Sequence, residues 1–141
     1  MPARVRAALA VIERRGRILI CQRRAGDVLG GCWEFPGGKR EPDESWESCL
    51  RRELREELGV SVRSVRSLGI ARYRDPRRSV FLRVYRCAIA QGRPRPLKSR
   101  TLRWVLPRRL GRYRFPPANR SLIARLSAPF PARTLFTKDT E

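Results

Sequence analysis

The sequence predicts one α+β domain, because strand-like and helical patterns occupy separate parts of the chain. Apolar and polar residues alternate on both sides of one helical segment, and a second helical pattern stands near the C-terminus. A length of 141 residues and a hydrophobic content of 41% are sufficient for one core. No apolar run approaches the roughly 18 residues of a membrane span, so no membrane partner is expected.

The first third of the chain predicts a hairpin followed by a long loop. Two apolar stretches flank a turn at Arg14-Arg15-Gly16, which indicates a pair of strands over residues 7–23. Residues 23–44 are rich in Gly and Pro, which favour turns and irregular backbone. This second stretch is therefore predicted to be a loop.

A helix is predicted over residues 45–59 by a run of good helix formers. Asp43 and Ser45 are both candidates for its N-cap, because either side chain can accept a hydrogen bond from the first turn. Gly59 is the expected C-terminal stop, since glycine adopts the left-handed conformation that commonly ends a helix.

Three further strands and a final helix are predicted in the second half of the chain. They are strands at 60–74, 79–90 and 101–106 and a helix at 119–126, with a polar loop at 91–100. The domain is expected to span residues 1–128. Residues 129–141 show no convincing period, so we expect a loose C-terminal tail there.

Two residue types exclude several classes of site. The chain contains no histidine, which excludes Ser-His-Asp and Cys-His catalysis. Its four cysteines lack the C-x-x-C spacing of structural zinc sites. Reduced, mostly buried thiols and a cytoplasmic location are therefore expected. Acid–base chemistry and metal binding are left to carboxylates, which select hard cations such as Mg²⁺ or Mn²⁺.

The net charge of +20 and the isoelectric point near 11.6 predict attraction to polyanions. These are either nucleic acids or small phosphorylated molecules. The basic residues are nearly all arginines, spread along the chain without the aromatic interleaving that is typical of single-strand-binding proteins. A dedicated nucleic-acid surface is therefore the less favoured interpretation, and a small-molecule substrate is preferred.

The acidic residues are concentrated in one segment. Residues 34–57 contain eight of the 13 acidic residues but five of the 33 basic ones. On a helical wheel, Glu53 and Glu57 fall between Cys49 and Leu50, inside the arc that is expected to be buried. Two carboxylates one turn apart repel each other, and burial raises that cost. A divalent cation reverses the sign of the interaction, so the spacing predicts a metal site.

The same segment resembles the signature of the Nudix hydrolases. The matching residues are Gly38, Glu44, Arg52-Glu53-Leu54, Glu56-Glu57 and Gly59-Val60, with five residues between the first two and seven before Arg52. Every defined position of the signature is occupied by the expected residue type. The resemblance implies an α+β Nudix fold, in which a mixed β-sheet is sandwiched between α-helices.

The resemblance also implies the catalytic residues and the cofactor. Nudix enzymes hydrolyse a nucleoside diphosphate linked to another moiety, using bound Mg²⁺ or Mn²⁺. By resemblance, the catalytic residues are Glu44, Arg52, Glu53, Glu56 and Glu57, and the metal ligands are Glu53, Glu56, Glu57 and a backbone carbonyl of Gly37 or Gly38. Arg52 is implied to pair with Glu44 and so to hold the helix against the glycine loop. Glu53 is the implied proton acceptor for the attacking water.

Within the family, the chain most resembles the MutT type, which cleaves 8-oxo-dGTP to the monophosphate and pyrophosphate. "CQRRAGD" is similar to the base-side segment of that type, and "FPPANRSLIARL" to the C-terminal stretch whose asparagine reads the purine edge. The implied substrate-binding residues are Arg24, Glu34, Phe35, Gly37, Gly38, Lys39 and Asn119. An amide offers a donor and an acceptor, and oxidation turns guanine N7 from an acceptor into a donor. Asn119 is therefore suited to discriminate the oxidised base.

Several of these residues also have a structural interpretation. Asn119 is suited to be the N-cap of the last helix, and Arg24 to be a solvated arginine at a strand end. Phe35 is also suited to core packing, which is the preferred interpretation for Trp33.

One position departs from the MutT pattern. There a glutamate precedes the tryptophan of the late strand and assists with the metal or the attacking water. Here Arg103 precedes Trp104, and no acidic residue occurs between Asp75 and Asp139. The proton-accepting role therefore shifts to Glu53 or Glu56.

Three functions are compatible with the sequence. The preferred one is removal of oxidised purine nucleotides from the nucleotide pool, which protects DNA, by a monomeric enzyme. The second is hydrolysis of another Nudix substrate, such as CTP, ADP-ribose or a dinucleoside polyphosphate. The third is a nucleic-acid-directed role, either at RNA 5′ ends or as the lesion-reading module of a glycosylase.

Overall fold

The computed structural model describes residues 3–127, which form a mixed seven-stranded sheet with helices packed against it. The strands are β1 (Ala3–Arg14), β2 (Arg17–Gln22), β3 (Trp33–Glu34), β4 (Gly37–Lys39), β5 (Ser61–Arg74), β6 (Arg78–Gln91) and β7 (Thr101–Val105). The helices are α1 (Trp46–Leu58) and α2 (Arg120–Leu126), with 3₁₀ turns at Pro107–Arg112 and Pro117–Asn119. The predicted α+β class is confirmed. The tail predicted at 129–141 lies outside the described residues.

The long strand β1 lies at the centre of the sheet. It pairs in parallel with β6, from Ala3 opposite Arg78 to Ile12 opposite Cys87. On its other edge it pairs antiparallel with β4 and then, near its end, with β2. The sheet continues from β6 to β5 and from β2 to β3 and β7. All other strands are therefore attached to β1 directly or through one neighbour.

The predicted N-terminal hairpin exists, but its two strands soon separate. Arg15 and Gly16 adopt positive φ angles of 50° and 76° in the turn. Next to the turn, Glu13 of β1 pairs with Ile18 of β2. From Ile18 to Gln22, β2 pairs with β7 as well, while the same edge of β1 is taken by β4. The hairpin thus joins two sections of the sheet.

The glycine-rich stretch predicted as a loop contains two short strands, β3 and β4. The sequence of β4 is Gly37-Gly38-Lys39, which has low strand propensity. Gly37 has a φ of 146°, and a Cβ atom there would overlap the carbonyl group of Ala8 in β1. Glycine is therefore required for the close main-chain pairing of β4 with β1.

An apolar core lies on each face of the sheet, because alternate residues of β1 point to opposite sides. On one face, Ala8, Ala10 and Ile12 pack in a cluster with the leucines of α1. On the other face, the β1 residues Ala7 and Val11 share a cluster with Leu110, Ala118 and Leu122 of the C-terminal segment. Helices on both faces confirm the sandwich that the resemblance implied.

The ends of α1 lie where the sequence predicted them. Ser45 Oγ accepts a hydrogen bond from the Ser48 N–H at 3.1 Å, so Ser45 rather than Asp43 is the N-cap. Gly59 is left-handed with a φ of 72°, and its N–H donates to the Arg55 carbonyl. Two residue-level features, a cap and a stop, therefore set the length of the helix that carries the acidic segment.

The helices and the cysteines can be compared with the expectations from composition. None of the described helices has the length and apolar content needed to cross a membrane. The four cysteines are buried and form no disulfide: Cys21, Cys32, Cys49 and Cys87. Buried thiols were expected from their spacing.

Replacement of Ser45 by Ala should lower the free energy of unfolding by about 1 kcal/mol, because the Ser48 N–H loses its acceptor. Asp43→Ala is the matched control, since Asp43 was the alternative cap, and it should cost about 0.3 kcal/mol or less. Urea denaturation of both variants measures the difference. Equal losses would show that Ser45 does not cap the helix.

Candidate active site

A cavity of about 450 Å³ lies among β1, β4, β6, α1 and the segment before α2. Its apolar lining comes mainly from β1 and β6: Val5, Ala7, Leu9, Val80 and Leu82. Its polar lining is Arg23, Asp27, Glu34, Lys39, Glu53, Glu57, Arg78, Lys98 and Asn119. Acidic residues of α1 and the amide of Asn119 therefore face the same space.

Glu53 and Glu57 reach this cavity across the glycines of β4. The Gly37 N–H donates a hydrogen bond to Glu57 Oε2 at 3.2 Å. A Cβ atom at Gly38 would collide with the carboxylate of Glu53. The paired glycines thus allow the carboxylates of α1 to lie directly against the main chain of β4.

The surroundings of Glu57 and Glu34 disfavour the ionised forms of these two carboxylates. Burial, together with the charges of Glu53 and Glu34, raises the pKa of Glu57 to about 8. Burial also raises the pKa of Glu34, and the nearby Arg23 offsets part of that shift. A divalent cation bound among these oxygens would favour the ionised forms instead. The donor set therefore fits a hard metal ion such as Mg²⁺ or Mn²⁺.

Arg52 ties the acidic helix to the two segments beside it. Its Nε and Nη2 atoms donate to the two carboxylate oxygens of Glu44, at 2.6 and 2.8 Å. Nη1 donates to Glu53 Oε1 at 3.0 Å, and Nη2 also donates to the Lys39 carbonyl at 3.2 Å. The hydrogen bonds from Arg52 lower the pKa of Glu44 to about 2. Arg52 and Glu44 therefore hold the helix against the glycine segment and orient Glu53.

Glu56 lies at the edge of the site, outside the lining of the cavity. Its side chain is 43% exposed, and Oε2 lies 3.4 Å from Arg52 Nη1 and 3.7 Å from Lys98 Nζ. Over residues 3–127 no cluster of three acidic or cysteine side chains is preformed. The structure thus brings Glu53 and Glu57 together and leaves Glu56 beside them.

The two main-chain carbonyls proposed as metal ligands differ in their surroundings. The Gly38 carbonyl accepts a hydrogen bond from the Cys49 thiol at 3.5 Å. That contact already uses one lone pair of the oxygen. Gly37 is therefore the better candidate for a main-chain ligand.

Asn119 lies in the 3₁₀ turn before α2, with 7% of its surface exposed. Its side chain makes no capping hydrogen bond to α2, which argues against the N-cap interpretation. It lines the cavity together with Phe35. Phe35 is 2% exposed and stacks on Phe115 at a centroid distance of 5.3 Å, so it is part of the core and of the cavity wall.

Arg24, which the resemblance placed near the nucleotide, lies outside the cavity, and its neighbour Arg23 lines it. Arg24 Nη2 donates to the Leu97 carbonyl at 3.1 Å. Arg23 Nη1 lies 3.6 Å from Glu34 Oε2, and Arg23 Nε is buried without a hydrogen-bond partner among the described residues. A buried donor without a partner is costly, so Arg23 is placed to bind a ligand in the cavity.

Three further lining residues, Asp27, Arg78 and Lys98, were missed from the sequence. Arg78 was accessible to sequence reasoning, because strand alternation places it on the same face as the buried Val80 and Leu82. Lys98 was not, since only the folded chain brings its polar loop against the end of α1.

Arg103, at the position where the MutT type has a glutamate, lies outside the lining of the cavity. Its guanidinium lies over the rings of Trp33 and Tyr113, at 5.3 and 5.7 Å from their centroids. Trp33 is buried in the core and meets Tyr113 edge-on, as its core interpretation predicted. This position therefore contributes to packing, and the acidic lining of the cavity comes from α1, β3 and Asp27.

Comparisons with known proteins agree with this geometry. A family model described as the NUDIX domain matches residues 1–126. The CTP pyrophosphohydrolase of Escherichia coli (strain K12) is 34% identical over 129 residues, covering 92% of this chain and 96% of that protein. An 8-oxo-dGTP diphosphatase of Haemophilus influenzae is 31% identical over 123 residues, covering 86% and 90%. The crystal structure of a MutT NUDIX hydrolase from Burkholderia pseudomallei superposes with a TM-score of 0.76 at 28% identity, covering 86% and 96%.

The raised pKa of Glu57 predicts that the metal-free protein loses stability as the pH rises. An acid whose pKa in the folded protein exceeds its usual 4.5 favours folding while it stays protonated. This contribution is complete below pH 4.5 and is lost as the pH rises through about 8. Glu57→Gln should remove this part of the pH dependence, which urea denaturation in EDTA across that range measures. The exposed Glu47→Gln is the control and should follow the wild type; parallel profiles for Glu57→Gln would contradict the assignment.

Proposed function

Because the chain belongs to the Nudix hydrolase family, we propose that it hydrolyses 8-oxo-dGTP to 8-oxo-dGMP and pyrophosphate with Mg²⁺ or Mn²⁺. The observation that carries the proposal is that Glu53, Glu57 and Asn119 line one cavity. The amide of Asn119 makes no capping hydrogen bond to α2. The cavity offers acidic donors for a metal ion at one end and a hydrogen-bonding amide for a base at the other. The reaction removes an oxidised purine nucleotide from the pool before it enters DNA.

Glu53, Glu57 and the Gly37 carbonyl would hold the metal ion, with Glu56 as the third carboxylate that the family pattern adds. A divalent ion at such a site neutralises charge on the pyrophosphate and lowers the pKa of a bound water. Glu57 receives a hydrogen bond from the Gly37 N–H, and Glu53 receives one from Arg52. These hydrogen bonds orient the two carboxylates next to each other in the cavity.

Glu53 is the residue that we assign as proton acceptor for the attacking water. It lines the cavity, whereas Glu56 is drawn to Arg52 and Lys98 at the rim. Arg52 fixes the orientation of the Glu53 carboxylate at 3.0 Å without neutralising it fully, because the same guanidinium also serves Glu44. A general base must be oriented in this way to reach the water.

Basic residues around the cavity suit the triphosphate. Arg23, Lys39, Arg78 and Lys98 line it from four different segments. Arg23 has a buried Nε without a partner among the described residues, so an anion there supplies the absent acceptor. The strong positive charge of the whole chain draws such a substrate toward the site.

Asn119 is assigned to read the base, against the cavity wall to which Phe35 contributes. Its amide N–H₂ can donate to O6 of 8-oxoguanine while its carbonyl accepts from N7–H. Unmodified guanine has a lone pair at N7, which would face that carbonyl. The pairing therefore favours the oxidised base over the normal one.

CTP is the second candidate, since one relative of nearly full coverage is a CTP pyrophosphohydrolase. The same amide can accept from the cytosine amino group and donate to N3. The amide of Asn119 can therefore pair with cytosine as well as with 8-oxoguanine, and the two bases differ in size.

The four buried cysteines form no disulfide, as expected of an enzyme that acts on the cytoplasmic nucleotide pool.

The substrate assignment predicts that the wild-type protein prefers 8-oxo-dGTP to dGTP and to CTP in a panel with Mg²⁺, read out as kcat/KM. Asn119→Ala should reduce kcat/KM for 8-oxo-dGTP by roughly 10- to 100-fold and reduce the preference over dGTP, because the base loses its pairing group. Arg24→Ala, outside the cavity, is the control and should keep the preference. A preference that survives Asn119→Ala, or a higher kcat/KM for CTP, would reject the assignment.

The metal assignment predicts that Glu53→Gln and Glu57→Gln each reduce turnover by roughly 10²-fold or more, because each removes a charged ligand. Isothermal titration with Mn²⁺ should show weaker binding in both variants. Glu47→Gln, on the exposed face of α1, is the matched control and should bind Mn²⁺ and turn over like the wild type. Unchanged Mn²⁺ affinity in the Glu57 variant would exclude it as a ligand.

A further inference from the structure

A second cavity, of about 400 Å³, lies mainly on the opposite face of β1 and β6 from the catalytic cavity. In β1, Arg4 and Arg6 line the second cavity, the alternate residue Ala7 lines the catalytic one, and Val5 between them borders both. In β6 and β5 the same face carries Phe81, Arg72 and Arg74. We refer to Arg4, Arg6, Arg72, Arg74 and Phe81 as the arginine patch.

Strand register arranges the arginine patch in two rows across three strands. One row runs from Arg4 through Ser79 to Arg74. The next row runs from Arg6 through Phe81 to Arg72. Neighbouring strands are about 4.8 Å apart, so the arginines of one row start about 10 Å apart. Their flexible side chains can therefore contact successive phosphates of one extended strand.

Aromatic rings lie between these arginines in the folded protein. The Phe81 centroid is 5.0 Å from the Arg6 guanidinium and 5.5 Å from that of Arg72. The ring of Trp46 lies 5.6 Å from Phe81 and is approached by Arg40 at 5.2 Å. Strands β1, β5 and β6 and the start of α1, which are distant in sequence, thus place arginine and aromatic groups side by side.

Three arginines of the patch have no carboxylate partner among the described residues. Arg4, Arg72 and Arg74 are exposed, and none of them forms a salt bridge with a described carboxylate. The carboxylate of Asp75, in the adjoining turn, accepts hydrogen bonds from the N–H groups of Arg77 and Arg78 instead. Three uncompensated guanidinium groups in one cavity are complementary to phosphates.

We propose that the arginine patch binds a single strand of nucleic acid. Its phosphates contact Arg4, Arg72 and Arg74, and an unpaired base stacks on the platform of Phe81 and its flanking guanidinium groups. Stacking on aromatic and guanidinium planes requires bases that are free of a partner strand, which is why a single strand fits better than a duplex. Because Arg4, Arg72 and Arg74 line a different cavity from the one that Glu53 and Glu57 line, the strand and the nucleotide substrate bind at different sites.

The test is the affinity of the full-length protein for a labelled single strand of about twelve nucleotides in EDTA, measured by fluorescence anisotropy at several salt concentrations. Replacing Arg4, Arg72 and Arg74 together by Gln should raise the Kd roughly tenfold or more and lower the salt slope by about two. The control replaces the exposed Arg108, Arg109 and Arg112 by Gln, which removes the same charge elsewhere and should change the Kd by about threefold or less. Equal effects of the two triple variants would overturn the proposal.

A second variant tests the base contact without changing the charge. Phe81→Leu should weaken binding of a normal strand by roughly fivefold to tenfold, and leave binding of an abasic strand with the same phosphates unchanged. An abasic strand that binds the wild type as tightly as a normal strand would overturn the assignment to nucleic acid and indicate a polyphosphate site. Thermal unfolding verifies that each variant is folded, and nucleotide hydrolysis should stay at the wild-type rate in all of them.

Discussion

The close approach of the Gly37-Gly38 main chain to the carboxylates of Glu53 and Glu57 is the contact on which the candidate site depends. On one side, these glycines pair with β1 so closely that a side chain at Gly37 would overlap Ala8. On the other side, they leave no room between β4 and the acidic face of α1. Strand β4 therefore separates β1 from α1 by little more than the thickness of its own main chain. It brings the acidic helix to the cavity, and its Gly37 N–H donates directly to Glu57.

The acidic residues of the site differ in whether a positively charged side chain lies next to them. Glu44 has a guanidinium partner, and its pKa falls to about 2, so it anchors Arg52 at all physiological pH values. Glu57 has no such partner among the contacts described, and burial raises its pKa to about 8. Glu44 is thereby committed to holding the helix, whereas Glu57 lies buried beside the like charge of Glu53. A positively charged ligand at Glu57 would relieve this repulsion.

The sequence predicted best those features that depend on neighbours along the chain. The buried arc of α1 and its ends at Ser45 and Gly59 follow from local periodicity and capping, and the structure has them. Strand β4 was missed because glycine has low strand propensity, and its pairing with β1 depends on distant main chain. The placement of Arg23 rather than Arg24 in the cavity depends on where the chain turns after β2, which alternation alone does not fix. Lys98 required the tertiary fold, since its loop is remote from α1 in sequence.

The parallel pair of β1 and β6 separates the catalytic cavity from the arginine patch. Its alternate residues line the catalytic cavity on one face and the arginine patch on the other. A deletion of one residue near Val5 would slide the pleat by half a period and exchange the two faces. Guanidinium groups would then enter the apolar lining of the nucleotide cavity, and apolar groups would replace them in the patch. The chain can therefore vary the identity of residues in this strand far more freely than its length.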